Sequence, residues 1–258
     1  MDLNAIAHTL DEAQAQARET EQLDAELHID QAYEIQSKIL AARTERGENY
    51  IGPKLGFTSK AKMEQMGVDN IIVGFLTDSM HHAAGEPLSL EGLIHPRIEP
   101  ELVFKIGQEI TPTEGEGAEE LATRLREATT HVAAGMEVID SRYKNFKFSL
   151  ADVVADNTSA AKFIVGDWQE FPREVAGLDV KFLIDGEEVG SATTDAILGN
   201  PLEAFNQLAE MILKYGFEVP AGAIILAGSV TAAQWLKPGQ NIEAHIEGFE
   251  PLQVTIAG

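Results

Sequence analysis

The sequence predicts an α+β fold, with a helical N-terminal region followed by a mixed β domain. Three observations lead there. Apolar residues recur at helical spacing before residue 48, short apolar runs alternate with Gly, Pro and Asp turns beyond residue 50, and two further helical stretches interrupt that second pattern. The boundary is placed near residue 50, giving a helical arm over residues 1–49 and a β-rich unit over residues 50–258.

In the arm, Ala5, Ile6 and Leu10 form a weak apolar stripe within a polar segment. Asp30 is positioned to cap a helix carrying Ala32, Ile35, Ile39 and Ala42, and Gly47 to end it. Such an arm is expected to pack or to dimerise and to carry no chemistry. Strands are expected at Ile71–Leu76, Ile98–Ile106, Val132–Ile139, Phe163–Val165, Val180–Ile184, Ala223–Ala227, Ile242–Ile246 and Leu252–Ile256. One inserted helix is expected near Ala118–Thr130. A second should have Pro201 in its first turn, Leu202, Phe205, Leu208 and Ile212 on one face, and Gly216 after its end at Tyr215.

Charge and composition exclude several functions. Among 258 residues, 19 Lys and Arg face 42 Asp and Glu, a formal charge of −23 that opposes binding to a phosphate backbone. With no cysteine, the chain has no disulfide framework, thiolate metal site or Cys nucleophile. The first residues lack a signal-peptide pattern and no apolar run is long enough to span a bilayer, so a cytoplasmic protein without membrane contact is expected. No H-E-x-x-H, G-x-S-x-G, P-loop or dinucleotide fingerprint is present.

The densest chemical signal is His95-Pro96-Arg97-Ile98-Glu99-Pro100-Glu101. On a strand, Glu99 and Glu101 share a face about 7 Å apart, and Glu137 lies in the apolar run Val132–Ile139. Inward-facing carboxylates repel one another unless a cation sits between them, and an all-oxygen set suits Mg²⁺ or Mn²⁺. Facing outward, the same residues would simply be solvated. Lys54, in a glycine-bounded apolar stretch, is either desolvated and paired or a surface lysine on an edge strand. Arg142, Lys144 and Lys147 form a local cationic cluster that would hold an anionic group or offset the surrounding negative field. Asp156, Asn157 and Ser159 form a polar turn, and Ser229 lies at the lip of a late strand, positions open to a ligand.

Six segments in order carry a resemblance: Lys54-Leu55-Gly56-Phe57-Thr58-Ser59, Met63-Glu64-Gln65-Met66-Gly67-Val68, Gly74-Phe75-Leu76-Thr77-Asp78, Pro96-Arg97-Ile98-Glu99-Pro100-Glu101, Glu137-Val138-Ile139-Asp140-Ser141-Arg142-Tyr143 and Val154-Ala155-Asp156-Asn157. Over about residues 30–258 the chain resembles the fumarylacetoacetate hydrolase superfamily, in the branch of hydratases and decarboxylases of aromatic meta-cleavage catabolism. Ala61–Gly67, Ile139–Phe148 and Val230–Ala233 look more like the decarboxylase form. Pro53 before the lysine and Ala227-Gly228-Ser229 in place of a Thr-Gly-Gly-like loop depart from the family pattern.

The resemblance implies a mixed β-roll or sandwich, with Glu99, Glu101 and Glu137 holding Mg²⁺ or Mn²⁺ and a small 2-oxo acid chelating it. Lys54 and Asp78 would be catalytic, with Asp78 orienting Lys54 or relaying its proton. Arg142, Asp156, Asn157, Ser159 and Ser229 would bind substrate. The implied reaction is decarboxylation of 2-oxo-3-hexenedioate to 2-hydroxypenta-2,4-dienoate and CO₂. Hydration of that dienoate is the alternative, and a non-catalytic partner subunit a lesser one. A homo-oligomer, and a complex with a hydratase, are also implied.

Overall fold

A computed structural model describes residues 2–23, 27–59, 63 and 71–258. The Ala61–Gly67 and Met63–Val68 motifs, apart from Met63, lie outside the described residues.

The arm contains α1 (Leu3–Ala15) and α2 (Ile29–Glu45). The cap of α2 is His28, not Asp30; Asp30 lies in the first turn, where its charge meets the helix dipole. Beyond α2 the backbone turns at Gly47 with φ +97°. Ala32, Ile35 and Ile39 are buried in the same cluster as the sheet residues Val73, Phe75 and Phe104, so α2 is part of the main core. Gln36 donates to the carbonyls of Val73 and Val154, and Arg43 lies over the Phe75 ring. Asp11 ties α1 to α2 by accepting from Arg43 and Arg46.

The expected strands form within a residue or three of their anticipated bounds. In chain order the strands are β1 (Tyr50–Gly56), β2 (Ile72–Thr77), β3 (His81–His82), β4 (Arg97–Ile106), β5 (Thr129–Ile139), β6 (Ala160–Val165) and β7 (Gln169–Glu170), then β8 (Asp179–Ile184), β9 (Glu187–Thr193), β10 (Ile224–Ser229), β11 (Gln234–Trp235), β12 (Asn241–Ile246) and β13 (Leu252–Thr255), the expected ones being β2, β4, β5, β6, β8, β10, β12 and β13. Among the described residues, three α-helices interrupt them: α3 (Ala118–Ala128), α4 (Leu150–Ala155) and α5 (Glu203–Tyr215). Helix α5 starts two residues after Pro201 and ends at the left-handed Gly216. Neither α4 nor β9 was anticipated, although Asp185-Gly186, both at positive φ, forms the two-residue hairpin turn joining β8 to β9.

A nine-stranded sheet runs β2-β1-β10-β4-β5-β6-β3, with β11 also pairing β4 and β7 also pairing β5; a four-stranded sheet runs β13-β12-β8-β9. The larger sheet curls as a half-barrel, in keeping with the mixed β-roll expected. Its outer face packs Ile98, Leu102, Phe104, Val132, Met136 and Val138 against the helices and the second sheet. The alternate residues Val103, Ala133, Phe163 and Leu226 form a smaller apolar cluster inside the curl. Strict two-residue alternation therefore places Arg97, Glu99 and Glu101 on that inner face, in line with Val103. No helix among the described residues is long and apolar enough to cross a membrane.

Candidate active site

Strands β4 and β5 pair antiparallel with Glu99 opposite Glu137 and Glu101 opposite Gly135. This register brings one carboxylate oxygen from each of Glu99, Glu101 and Glu137 within 4.8 Å of the others. Glu101 and Glu137 are buried, and Glu99 is partly buried. Opposite them on β1, Lys54 is 2% exposed, so it is neither a surface nor an edge-strand lysine. Its Nζ lies 3.1 Å from both Glu137 oxygens and donates its hydrogen bond to Oε2.

The charge balance is incomplete without a cation. Burial first, and then the Glu137 and Glu99 charges, push the Glu101 carboxyl well above the usual range, against the pull of Lys54 and the Gly228 N–H. Burial also raises Glu137, while Lys54 acts the other way. Oε1 of Glu101 and Oε1 of Glu137 are buried and accept no hydrogen bond. Buried carboxylate oxygens without donors are costly, and three clustered hard oxygen donors with no sulfur or imidazole among them match a Mg²⁺-type ion. The residues present fit such a metal.

The loop after β10 completes the Glu101 environment. Gly228 donates its N–H to Glu101 Oε2 at 2.9 Å. Its φ is +116°, and a Cβ there would stand 2.1 Å from Thr58 Oγ1, so only glycine delivers that amide. The departure from a Thr-Gly-Gly-like loop therefore keeps its essential donor. Ser229 lies opposite Glu101 in register and donates to the Thr231 carbonyl.

The remaining expected site residues divide sharply. Arg142 and Asp156 are each 1% exposed and bonded to each other. The Arg142 guanidinium also donates to the carbonyls of Asp140 and Ala160. Burial pushes Asp156 up to about 6 against the opposing pull of Arg142. This pair anchors the connection between β5 and α4: enclosed at 1% exposure, with four of the five guanidinium N–H groups bonded within the protein, it holds the fold rather than serving the substrate-binding role expected of both residues. Asn157 is likewise structural: it accepts from Phe75 N at 2.7 Å and donates to Phe75 O at 3.0 Å, clamping β2.

Asp78 is displaced from the triad as well. It is exposed and accepts from the backbone and side chain of Asn49. Lys54 pairs with Gly74, four residues before Asp78, so along the strand they are separated by about 13 Å. Glu137, not Asp78, orients Lys54. Lys144 pairs with the exposed Glu21 and Lys147 is exposed, so neither lysine belongs to the triad.

Ser159 fits the expectation better, and Thr158 was missed. Asn157, Thr158 and Ser159 all have left-handed φ, at 49°, 52° and 59°, a rare run for side-chain-bearing residues. The Thr158 and Ser159 hydroxyls are buried and make no hydrogen bond. Thr158 Oγ1 fits because position 74 is glycine: a Cβ there would come within 2.4 Å of it. Since Gly74 is the register partner of Lys54, the turn reaches the neighbourhood of the lysine. Asn-Thr-Ser was visible in the sequence as a turn, but its handedness was not.

A half-barrel presenting three carboxylates and a buried lysine on its inner face defines a hard-cation enzyme site. The fumarylacetoacetate (FAA) hydrolase C-terminal family model matches residues 47–257, and the chain belongs to that family. It is 39% identical to a 4-oxalocrotonate decarboxylase of a Pseudomonas species, over 100% of this chain and 99% of the relative. A 2-keto-4-pentenoate hydratase of Burkholderia vietnamiensis is 33% identical, over 97% and 96% of the two chains. The solved structure of 4-oxalocrotonate decarboxylase from Pseudomonas putida G7, complexed with magnesium and adipate, superposes with a TM-score of 0.90 at 32% identity, covering 98% of this chain and 97% of that one.

Proposed function

We propose that the chain is a carbon–carbon lyase that decarboxylates 2-oxo-3-hexenedioate to 2-hydroxypenta-2,4-dienoate and CO₂. The observation that carries this is the triad Glu99, Glu101 and Glu137, beside buried Lys54, with Oε1 of Glu101 buried and accepting no hydrogen bond. The likeness to decarboxylases over the full chain supports the choice of reaction.

The substrate's distal carboxylate is a vinylogous β-keto acid. As the bond from C5 to the carboxyl carbon breaks, its electron pair moves through the C3–C4 double bond to the 2-oxo oxygen, and CO₂ departs. Glu99, Glu101 and Glu137 would hold Mg²⁺, which when bound supplies Lewis-acid stabilisation to that oxygen. Lys54 holds a proton at the triad, fixed by Glu137, and serves the oxygen as charge gathers there. The Thr158 and Ser159 hydroxyls and the Ser229 loop offer polar groups for the 2-oxo acid end. Residues 50–258 act as the catalytic unit and residues 1–49 as the helical arm. We place the enzyme in the cytoplasm as a homo-oligomer, in complex with the hydratase that consumes its product; co-elution in gel filtration checks both associations.

Purified protein with Mg²⁺ is incubated separately with 2-oxo-3-hexenedioate and with 2-hydroxypenta-2,4-dienoate. The expected result is CO₂ from the first and no consumption of the second. Loss of diene absorbance from the second, without CO₂ from the first, would select the hydratase reading, which the 33% identical hydratase favours. Neither activity would leave the non-catalytic subunit.

A further inference from the structure

With Arg142 committed to Asp156, a cation for the far end of a diacid has to come from elsewhere. Arg97 is on β4, two residues before Glu99 and on the same inner face as Glu99 and Glu101. Its guanidinium carbon lies 4.1 Å from the centre of the Phe146 ring and 3.9 Å from that of Trp235. The first ring comes from the turn after β5. The second belongs to β11, whose Trp235 is the direct register partner of Arg97. Its Nε is buried and donates no hydrogen bond. Trp235 is 49% exposed, so the sandwich stands at the rim of the site rather than in the core.

Two aromatic faces stacked on a guanidinium fix its plane and leave its N–H edge for a planar acceptor. The spacing from Arg97 to Glu99 along the strand, about 7 Å, is comparable to the reach of a six-carbon chain. We infer that Arg97, clamped between Phe146 and Trp235, is the substrate-binding residue for the distal carboxylate of the 2-oxo diacid and sets the preference for a diacid over a monoacid. This rests on the decarboxylase reading above.

The chemistry imposes a distinctive signature. A cation stabilises the departing carboxylate while it is charged and loses that interaction as neutral CO₂ forms. Arg97 therefore contributes to ground-state binding, and the aromatic walls receive the neutral product. Removing the guanidinium is expected to raise KM without lowering kcat, the opposite of what loss of a transition-state contact does.

The test compares wild-type protein with Arg97→Met and Arg97→Lys, all with Mg²⁺. Calorimetry measures binding of 2-oxohexanedioate, a saturated diacid analogue, and of 2-oxohexanoate, the same chain without the second carboxylate. Arg97→Met is expected to bind the diacid roughly 10- to 100-fold more weakly, with monoacid affinity unchanged and KM for 2-oxo-3-hexenedioate raised at constant or higher kcat. Arg97→Lys keeps the charge but not the fork and is expected to fall between; should the Met variant not fold, the same comparison is read from the Lys variant. Equal effects on both ligands, no effect on either, or a fall in kcat at unchanged KM would overturn the assignment. A wild-type protein that prefers the diacid while Arg97→Met keeps the same preference would reject Arg97 as its source. A wild-type protein that binds neither 2-oxo acid would instead reject the functional reading.

Discussion

Lys54 Nζ stands 3.1 Å from the Glu137 carboxylate although β10 and β4 lie between their strands in the sheet. Three inter-strand steps on a flat sheet would place the two backbones about 14 Å apart with both side chains rising in parallel. Curling of the sheet turns those side chains toward one another. The ion pair is thus a direct consequence of the curl and closes the metal triad from the opposite wall.

Lys54→Met should separate the structural role of the lysine from its catalytic one. It leaves Glu137 buried without its cation, so the metal-free variant is expected to lose about 3 kcal/mol of stability. Added Mg²⁺ should raise the melting temperature of the variant more than that of the wild type, because the ion then neutralises the same carboxylates. Turnover should still fall roughly 100-fold with Mg²⁺ saturating. Thermal denaturation with and without Mg²⁺, alongside CO₂ release, reads both effects.

Glu101→Gln is expected to behave in the opposite sense. The substitution removes a desolvated charge from a repelling cluster while keeping an acceptor for the Gly228 amide. Metal-free stability should equal or exceed wild type by about 1 kcal/mol. Mg²⁺-induced stabilisation and Mg²⁺-dependent turnover should both disappear. Full activity in the chelator-treated variant would defeat the assignment of the triad.

Arg142→Met tests the corrected role of that residue. Its guanidinium is bonded to the Asp156 carboxylate and to the backbone carbonyls of Asp140, Asp156 and Ala160, all buried. Loss of those bonds should cost about 3–5 kcal/mol in chemical denaturation. Whatever folded protein remains should show KM for the diacid within about twofold of wild type, since its loss acts through stability rather than substrate contact. A large rise in KM with unchanged stability would restore the substrate-binding role.

The Asp11 clasp gives a pH signature away from the site. Burial alone would raise the Asp11 pKa, but bonds from Arg46 and Arg43 outweigh it and hold the carboxyl below its ordinary value. The stabilisation is therefore present above the unfolded-state pKa and is lost as pH falls through the folded one. Asp11→Asn should cost about 1–2 kcal/mol at pH 7, a modest figure because Arg46 is half exposed. Denaturation midpoints of wild type and variant should converge as the pH approaches 3.

Much of the fold was legible because it is local. The period of two put Glu99 and Glu101 on one face of β4, which the structure turns inward, and Gly216 follows α5 where the helix was expected to end. The helix cap shifted from Asp30 to His28 because caps depend on one backbone angle, which periodicity does not report. Short strands such as β11 escaped because two residues carry no period at all. The orphaned Thr158 hydroxyl escaped because a left-handed turn of three side-chain-bearing residues has no compositional mark.

By itself the sequence determined which residues are acids, that Glu99 and Glu101 share one strand face, and that an inward-facing set of three without a cation would repel. Tertiary structure alone decided which cation serves which anion. Arg142 and Arg97 look equally available along the chain, yet one is enclosed by Asp156 and the other held between two rings beside the triad. The reason is that alternation and spacing act over a few residues, whereas desolvation and pairing depend on which distant segments the curl of the sheet brings together.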